Sequence, residues 1–167
     1  MDVTMEKLRA ELEDAFQGRA HLYRVMLDEL EPVMGWPAAE AAMIRMLERR
    51  GRETAAKLFA GMPPDPAAIG LRFLEVSPDG GRMYPHSKDI SEGRIAMRVE
   101  RCPLKDAWAG AGLAPGRVAQ LCRIAGAFDR GLFEAAGVAF SNETWSERRG
   151  GGCCWIELTR PAAEKPD

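Results

Sequence analysis

The chain has 167 residues, of which 46% are hydrophobic and 29% charged, enough for one domain with its own core. Its net charge of −2 and scattered basic residues give no electrostatic case for a nucleic-acid partner. No run of about 18 apolar residues occurs, so neither a membrane span nor a membrane partner is predicted. The acidic, amphipathic N-terminus is unlike a signal peptide and favours a cytoplasmic location, where the four cysteines would stay reduced.

Apolar residues recur at helical spacing through the first third of the chain. One helix is predicted from residue 4 to about 34, with a break near Gly18 as an option, and a second from about 37 to 60. Gly51 falls in the middle of the second helix, where glycine costs about 1 kcal/mol against alanine. It therefore indicates either a close crossing of two helices or the approach of a ligand.

The middle of the chain is richer in turn-forming residues. Residues 66 to 76 favour a short helix, with a strand as the alternative. Residues 77 to 92 are predicted to form a loop, because the Pro-Asp-Gly-Gly sequence within them is a strong turn signal. Tyr84 and His86 lie in this loop, which either forms a lid or is simply exposed.

Cys102 stands at a predicted junction between a strand and a helix. Residues 94 to 102 alternate between apolar and charged side chains, which is typical of a half-buried strand. Pro103 then favours the first position of a short helix, which places Cys102 at or beside its N-cap. Unpaired N–H groups and the helix dipole favour negative charge there, so the thiol is a candidate nucleophile or metal ligand. The alternative is a small buried residue at the end of a strand.

A longer helix is predicted to begin at Pro115, with apolar residues at helical spacing as far as Leu132. Cys122 and Asp129 are seven residues apart, almost two turns, so they share one face of this helix. Gly126 lies between them and would leave room for a cavity. The alternative is that the helix breaks at Gly126 and that Asp129 caps a new one.

The chain ends in a predicted hairpin. One strand begins at Val138, residues 148 to 152 supply a glycine-rich loop, and the return strand covers residues 153 to 159. On the return strand, Cys154 shares a face with apolar residues. The element order predicts an α+β fold with N-terminal helices packed on a small antiparallel sheet, with inserted helices and a C-terminal hairpin. Residues 1–160 would form a single domain and 161–167 a frayed polar tail.

Thiols and one carboxylate are the residues best suited to chemistry. Neither a phosphate-binding glycine loop nor a Ser-His-Asp order is present. A cysteine nucleophile assisted by a carboxylate remains. It requires Cys102 and Cys122 to lie close together, with Asp129 facing the same cavity and Trp108 or Trp155 forming a wall. No cofactor is predicted, because the cysteine spacings match no recognised metal motif, with zinc or another thiophilic metal as the alternative.

Four blocks of the sequence carry a resemblance to a known family. They are AHLYRVMLDELEPVMG, LERRGRETAAKL, VERCPLKDAW, and the stretch from LCRIAGAFD to GGGCCWIEL. Together they resemble the L-2-amino-thiazoline-4-carboxylic acid hydrolase family of bacterial proteins over about residues 20 to 158. Residue by residue, the resemblance points to His21, Arg50, Gly51, Cys102, Pro103, Cys122, Asp129 and one of Cys153 or Cys154.

The resemblance implies hydrolytic opening of a small cyclic amidine such as a thiazoline. Cys102 would be the nucleophile, Asp129 the base or orienting group, and Cys122 a neighbour. Substrate contacts would come from Arg50, which could hold a carboxylate or be an ordinary surface charge, and from His21, Trp108 and Cys154. Members often have Cys-Asp-aromatic near the end, so either Cys153 or Cys154 could be the matching cysteine. A looser similarity to 4-vinyl reductase type domains implies a dimeric, non-catalytic small-molecule or metal-binding module instead.

Overall fold

A computed structural model describes residues 3–149 and 152–162 of the chain. Within these residues there are five α-helices and one four-stranded antiparallel sheet, which confirms the α+β class. The helices are α1 (Val3–Met34), α2 (Trp36–Leu58), α3 (Pro66–Glu75), α4 (Pro103–Gly110) and α5 (Pro115–Ala135). The strands are β1 (His86–Ser91), β2 (Arg94–Val99), β3 (Ala139–Glu143) and β4 (Cys154–Thr159). Part of the predicted hairpin loop, at 150 and 151, and most of the predicted tail, at 163–167, lie outside the described residues.

Three of the alternatives for the helices are now decided. α1 continues through Gly18 and ends where Gly35, at φ 80°, separates it from α2. Residues 66 to 75 form a helix, whose N-cap Asp65 accepts a hydrogen bond from the N–H of Ala68 (2.8 Å). α5 is continuous through Gly126, so the alternative in which Asp129 caps a new helix is wrong.

One strand was not expected. Residues 86 to 91, within the predicted loop, form β1 at the edge of the sheet, where it pairs antiparallel with β2. Its sequence, HSKDIS, is mostly exposed and polar, so it lacks the apolar alternation by which strands are recognised. Charged side chains suit an edge strand, because they discourage pairing with another chain.

The sheet has the strand order β1-β2-β4-β3, and β3 and β4 form the predicted C-terminal hairpin. α3 and α5 contact the sheet. Between them lies an apolar cluster centred on Phe133, whose ring is 5.0 Å from Phe73 and 5.6 Å from Phe140 between centroids. This cluster fixes the C-terminal half of α5 on the sheet.

α2 and α5 cross with their backbones in direct contact. A Cβ added to Gly51 would lie 2.2 Å from the carbonyl oxygen of Phe128, and one added to Gly131 would lie 2.1 Å from that of Glu48. Only glycine allows this approach. Of the two interpretations of Gly51, the close helix crossing is therefore confirmed. Asp129 follows Phe128 directly, so the same crossing sets its position.

A second apolar cluster joins the N-terminal half of α5 to α1, α2 and α4. Trp108 of α4 is fully buried in it, and its indole N–H donates a hydrogen bond to the carbonyl oxygen of Ala20 in α1 (2.7 Å). Cys102, Tyr23 and Tyr84 lie at the margin of this cluster. Among the described residues, none of the helices has the length and apolar character needed to cross a membrane.

Candidate active site

Cys102 occupies the N-cap of α4, as predicted. Its backbone is extended (φ −133°, ψ 119°), and its carbonyl oxygen accepts the first helical hydrogen bond from the N–H of Asp106 (3.0 Å). Pro103 supplies the first helical residue, where its missing N–H leaves no bond unmade. The sulfur, which makes no capping hydrogen bond of standard geometry, thus lies at the positive end of a helix dipole.

The turn before β4 brings Cys153 to Cys102, and Cys154, the first residue of β4, lies beside Cys153. The N–H of Cys153 donates to the carbonyl oxygen of Val99 (2.7 Å), which holds this turn beside the end of β2. The thiol of Cys153, only 2% exposed as a residue, is hydrogen-bonded to the sulfur of Cys102. It also lies 3.5 Å from the sulfur of Cys154.

These neighbours lower the pKa of Cys102. The largest cause is the hydrogen bond from Cys153, which outweighs the burial that would raise the pKa. The backbone N–H groups of Lys105 and Leu104 act in the same direction as Cys153, whereas the negative charge of Asp129 opposes them. In return, the hydrogen bonds to Cys102 and Cys154, together with burial, raise the pKa of Cys153. Of this pair, Cys102 is therefore the more acidic thiol and Cys153 the proton donor.

Cys122 lies on α5 and is buried. Burial raises the pKa of its thiol, and the charges of Cys154 and Cys102 raise it further. These interactions place Cys122 within electrostatic range of Cys102, and the catalytic role predicted for Cys122 stays a prediction. At neutral pH Cys122 remains a neutral thiol, which makes it a poor nucleophile beside Cys102.

Asp129 lies two turns after Cys122 on α5 and forms no hydrogen bond or ion pair with the described residues. Burial raises the pKa of its carboxyl to about 7, although the positive charge of Arg19 acts in the opposite direction. Its negative charge raises the pKa values of Cys102, Tyr23 and Tyr84. A carboxyl with a pKa near 7 can both give and accept a proton at neutral pH.

Arg19 and two tyrosines complete this region. Arg19 of α1 donates a hydrogen bond from Nη2 to the hydroxyl oxygen of Tyr84 (3.1 Å). Burial raises the pKa of both Tyr23 and Tyr84, and Arg19 offsets part of that effect. Sequence reasoning missed Arg19. The available signal was its spacing on α1, three residues after Phe16 and four before Tyr23, which puts all three on one helical face.

The other predicted substrate contacts lie in different surroundings. Arg50 is exposed on α2 and pairs with Glu53 (3.8 Å), although its charge reaches Tyr23. His21 lines a groove of about 420 Å³ between α1 and α4, together with Gln17 and Ala107. Trp108 is a core residue with 0% exposure. The roles predicted for these three residues stay predictions.

Trp155 was predicted as a possible cavity wall, and Gly126 as a gap that leaves room for the cavity. Trp155 is 37% exposed and precedes the buried Ile156 on β4. A Cβ on Gly126 would lie 2.7 Å from Nδ2 of Asn142 and 2.9 Å from Cγ2 of Thr144. The hairpin therefore fills the space beside Gly126, and the prediction that this glycine leaves a gap for a cavity is wrong.

The alternative of a metal centre gains no support from the side-chain arrangement. Within 3–149 and 152–162, no three side chains of histidine, cysteine, aspartate or glutamate are placed to hold a metal ion. Hydrogen bonding by Cys153 instead lowers the pKa of Cys102.

A sequence comparison assigns most of the chain to a known family. The sequence model of the family described as L-2-amino-thiazoline-4-carboxylic acid hydrolase matches residues 9–157. The chain belongs to this family. The match includes Arg19, Cys102, Cys122, Asp129 and both cysteines of β4 and its preceding turn. No curated protein matches the sequence of this family member.

A solved structure shares the fold of this hydrolase-family chain. It is the crystal structure of trafficking protein particle complex subunit 3 from Naegleria fowleri, covalently bound to palmitic acid. The TM-score is 0.56 with 13% sequence identity, and the alignment covers 89% of this chain and 96% of that chain. At this identity the likeness shows the fold alone.

Proposed function

We propose that this protein hydrolyses a small cyclic amidine of the 2-amino-thiazoline-4-carboxylate type, with Cys102 as nucleophile and Asp129 as acid and base. The observation that carries the proposal is the setting of Cys102. Its sulfur lies at the N-cap of α4, receives a hydrogen bond from Cys153, and has Asp129 within electrostatic range. The family description, which names such a hydrolase, supports the substrate class.

The first half of the reaction opens the ring. The Cys102 thiolate attacks C2, which forms a new S–C bond and a tetrahedral adduct with negative charge on the ring nitrogen. The adduct collapses by breaking the bond between C2 and the ring sulfur. Asp129, with its pKa raised to about 7 by burial, gives its proton to the leaving sulfur. The product of this half is an isothiourea on Cys102 and a free thiol.

The second half releases the product. Water attacks the same carbon while Asp129, now a carboxylate, accepts a proton from it. Collapse of this second adduct breaks the bond to Cys102 and yields a urea, whose substituent carries the former ring sulfur as a thiol. One water has been added to the substrate, and the thiolate of Cys102 and the protonated Asp129 are restored.

Cys122 does not react in this mechanism but forms part of the surroundings of Cys102. Its pKa is raised by burial and by the neighbouring thiol charges, so it stays uncharged. A neutral thiol at this point places no second negative charge beside the Cys102 thiolate, and burying two adjacent charges would be costly. We therefore assign it to the surroundings of the reacting sulfur rather than to attack.

The test is ring opening by the purified protein, followed as release of a new thiol from 2-amino-thiazoline-4-carboxylate. Cys102→Ala should lower kcat by about a thousandfold or more, because the nucleophile is lost. Lys57→Ala, a change at an exposed residue near the end of α2, is the matched control and should keep the unmutated rate. Undiminished turnover by Cys102→Ala would contradict the mechanism, and no turnover by the unmutated protein would contradict the substrate class.

A further inference from the structure

Arg19 is held in place by aromatic residues rather than by a carboxylate. Its guanidinium carbon lies 4.5 Å from the ring centroid of Phe16, and its Nη2 donates to the hydroxyl of Tyr84 (3.1 Å). The rings of Phe16 and Tyr84 meet edge to face, with centroids 5.6 Å apart. The cation–π contact and the hydrogen bond orient the guanidinium, which reduces the entropy lost when it binds a ligand.

The remaining donors of Arg19 are available to a ligand. Among the described residues, no carboxylate lies within ion-pair distance of Arg19, whereas Arg24, on the same helix, pairs with Asp28 (2.7 Å). A guanidinium carries five N–H donors, of which the bond to Tyr84 uses one. Its planar fork matches a carboxylate, which it can bind through two parallel hydrogen bonds.

Arg19 lies within electrostatic range of the reacting carboxyl of Asp129 and of the two tyrosines. Its positive charge is felt by Asp129, Tyr23 and Tyr84. A substrate carboxylate entering this region would be repelled by an ionised Asp129 unless a cation stood nearby. Arg50 is exposed, as Arg19 is, but it already has the carboxylate of Glu53 beside it (3.8 Å).

We propose that Arg19, oriented by Tyr84 and Phe16, binds the carboxylate of the substrate and makes the enzyme selective for cyclic amidines that carry one. The inference rests on the proposed function, because it names the substrate group that this same site recognises. In it Arg19 is a binding residue, and Tyr84 is a positioning residue that acts through Arg19. The assignment also replaces Arg50 as the main carboxylate contact.

The test compares two substrates that differ only in the carboxylate, 2-amino-thiazoline-4-carboxylate and 2-amino-thiazoline. Arg19→Gln should lower kcat/KM for the first by about 100-fold, because a charge-assisted interaction is lost. For the second it should change kcat/KM by less than about threefold. Arg19→Lys should recover part of the loss, since it keeps the charge but not the fork. Tyr84→Phe should raise KM for the carboxylate substrate by about three- to tenfold and leave kcat nearly unchanged.

Two matched controls sharpen the comparison. Arg52→Gln removes an exposed arginine of α2 and should affect neither substrate. Arg50→Gln tests the other candidate, and a selective loss with Arg50→Gln but not with Arg19→Gln would overturn the inference. An equal loss on both substrates in Arg19→Gln would overturn it too.

A binding measurement separates this inference from the proposed reaction. In the Cys102→Ala background, calorimetry should show that 2-amino-thiazoline-4-carboxylate binds at least about tenfold more tightly than 2-amino-thiazoline. Adding Arg19→Gln should abolish that difference, whether or not the unmutated protein turns over either compound. Equal affinity of the Cys102→Ala protein for the two compounds, including no binding of either, would overturn the inference without bearing on Cys102.

Discussion

The thiol of Cys153 donates a hydrogen bond to the sulfur of Cys102. This bond joins the turn before β4 to the N-cap of α4, two places separated by 51 positions in the sequence. It stabilises the thiolate of Cys102 and keeps the proton on Cys153. The reactivity of Cys102 therefore depends on the position of the C-terminal hairpin as well as on its own helix.

Removing the donor should make Cys102 less acidic. In Cys153→Ala, the pH dependence of Cys102 alkylation by iodoacetamide should move to higher pH, because the largest contribution to its lowered pKa is lost. Cys154→Ser, which keeps a hydrogen-bonding group beside Cys153, is the control and should leave the profile nearly unchanged. Mass spectrometry of the Cys102 peptide measures this rate, and identical profiles in all three proteins would show that Cys153 does not control the thiolate.

Asp129 should make the protein less stable as the pH rises. Its pKa is raised by burial to about 7 in the folded chain, against 3.8 for an ordinary aspartate, so the folded state holds the proton more tightly. Stability should therefore fall from about pH 4 to about pH 7 and level off above that.

Asp129→Asn removes this dependence and gives the corresponding measurement. At pH 8 it should raise the free energy of unfolding by about 2–4 kcal/mol relative to the unmutated protein, and at pH 4 by little. Urea unfolding at the two pH values measures both differences. A stability gain of the same size at pH 4 and pH 8 would show that the carboxyl is not the group being titrated.

The protonation of Asp129 should also control the pH dependence of kcat. Because the leaving sulfur takes its proton from Asp129, kcat should fall as the pH rises above about 7. In Asp129→Asn the rate should be lower throughout, and the decline near pH 7 should vanish. A decline that persists with unchanged midpoint in Asp129→Asn would assign it to another group.

The contact between α2 and α5 should tolerate no side chain at Gly51. Gly51→Ala would place a methyl group 2.2 Å from the carbonyl oxygen of Phe128, so the helices must separate beside Asp129. The free energy of unfolding should fall by about 1–3 kcal/mol, and ring opening should weaken with it. Gly18→Ala is the control: nothing lies within 4 Å of the added carbon, so α1 should gain about 0.5–1 kcal/mol. Thermal unfolding of the two variants measures both effects. Shifts in melting temperature of the same sign in both variants would contradict this packing.

The sequence predicted the features that depend on residues close to one another in the chain. The Cys-Pro pair placed Cys102 at an N-cap, and helical spacing placed Cys122 and Asp129 on one helix. β1 escaped prediction because a polar edge strand has only one partner and no buried face to mark it. Gly126 was misread because the side chains that fill its space belong to the distant hairpin.

The site residues that were missed depend on tertiary contacts. Arg19 meets Tyr84 across 65 positions of sequence, and its spacing with Phe16 and Tyr23 marks a shared helical face but not that contact. Between Cys153 and Cys154, strand alternation favoured Cys154, but β4 begins only at Cys154. Cys153 lies in the preceding turn, where alternation does not apply, and it is the thiol that contacts Cys102.

The most direct test of the account is to look for substrate carbon on Cys102 during turnover. The unmutated protein, mixed with excess 2-amino-thiazoline-4-carboxylate and quenched with acid, should gain the mass of one substrate molecule. Peptide mapping should place that mass on Cys102, and Cys102→Ala should neither gain it nor release thiol. Turnover that proceeds equally fast in Cys102→Ala, with no adduct on the unmutated protein, would contradict the claim that Cys102 is the nucleophile.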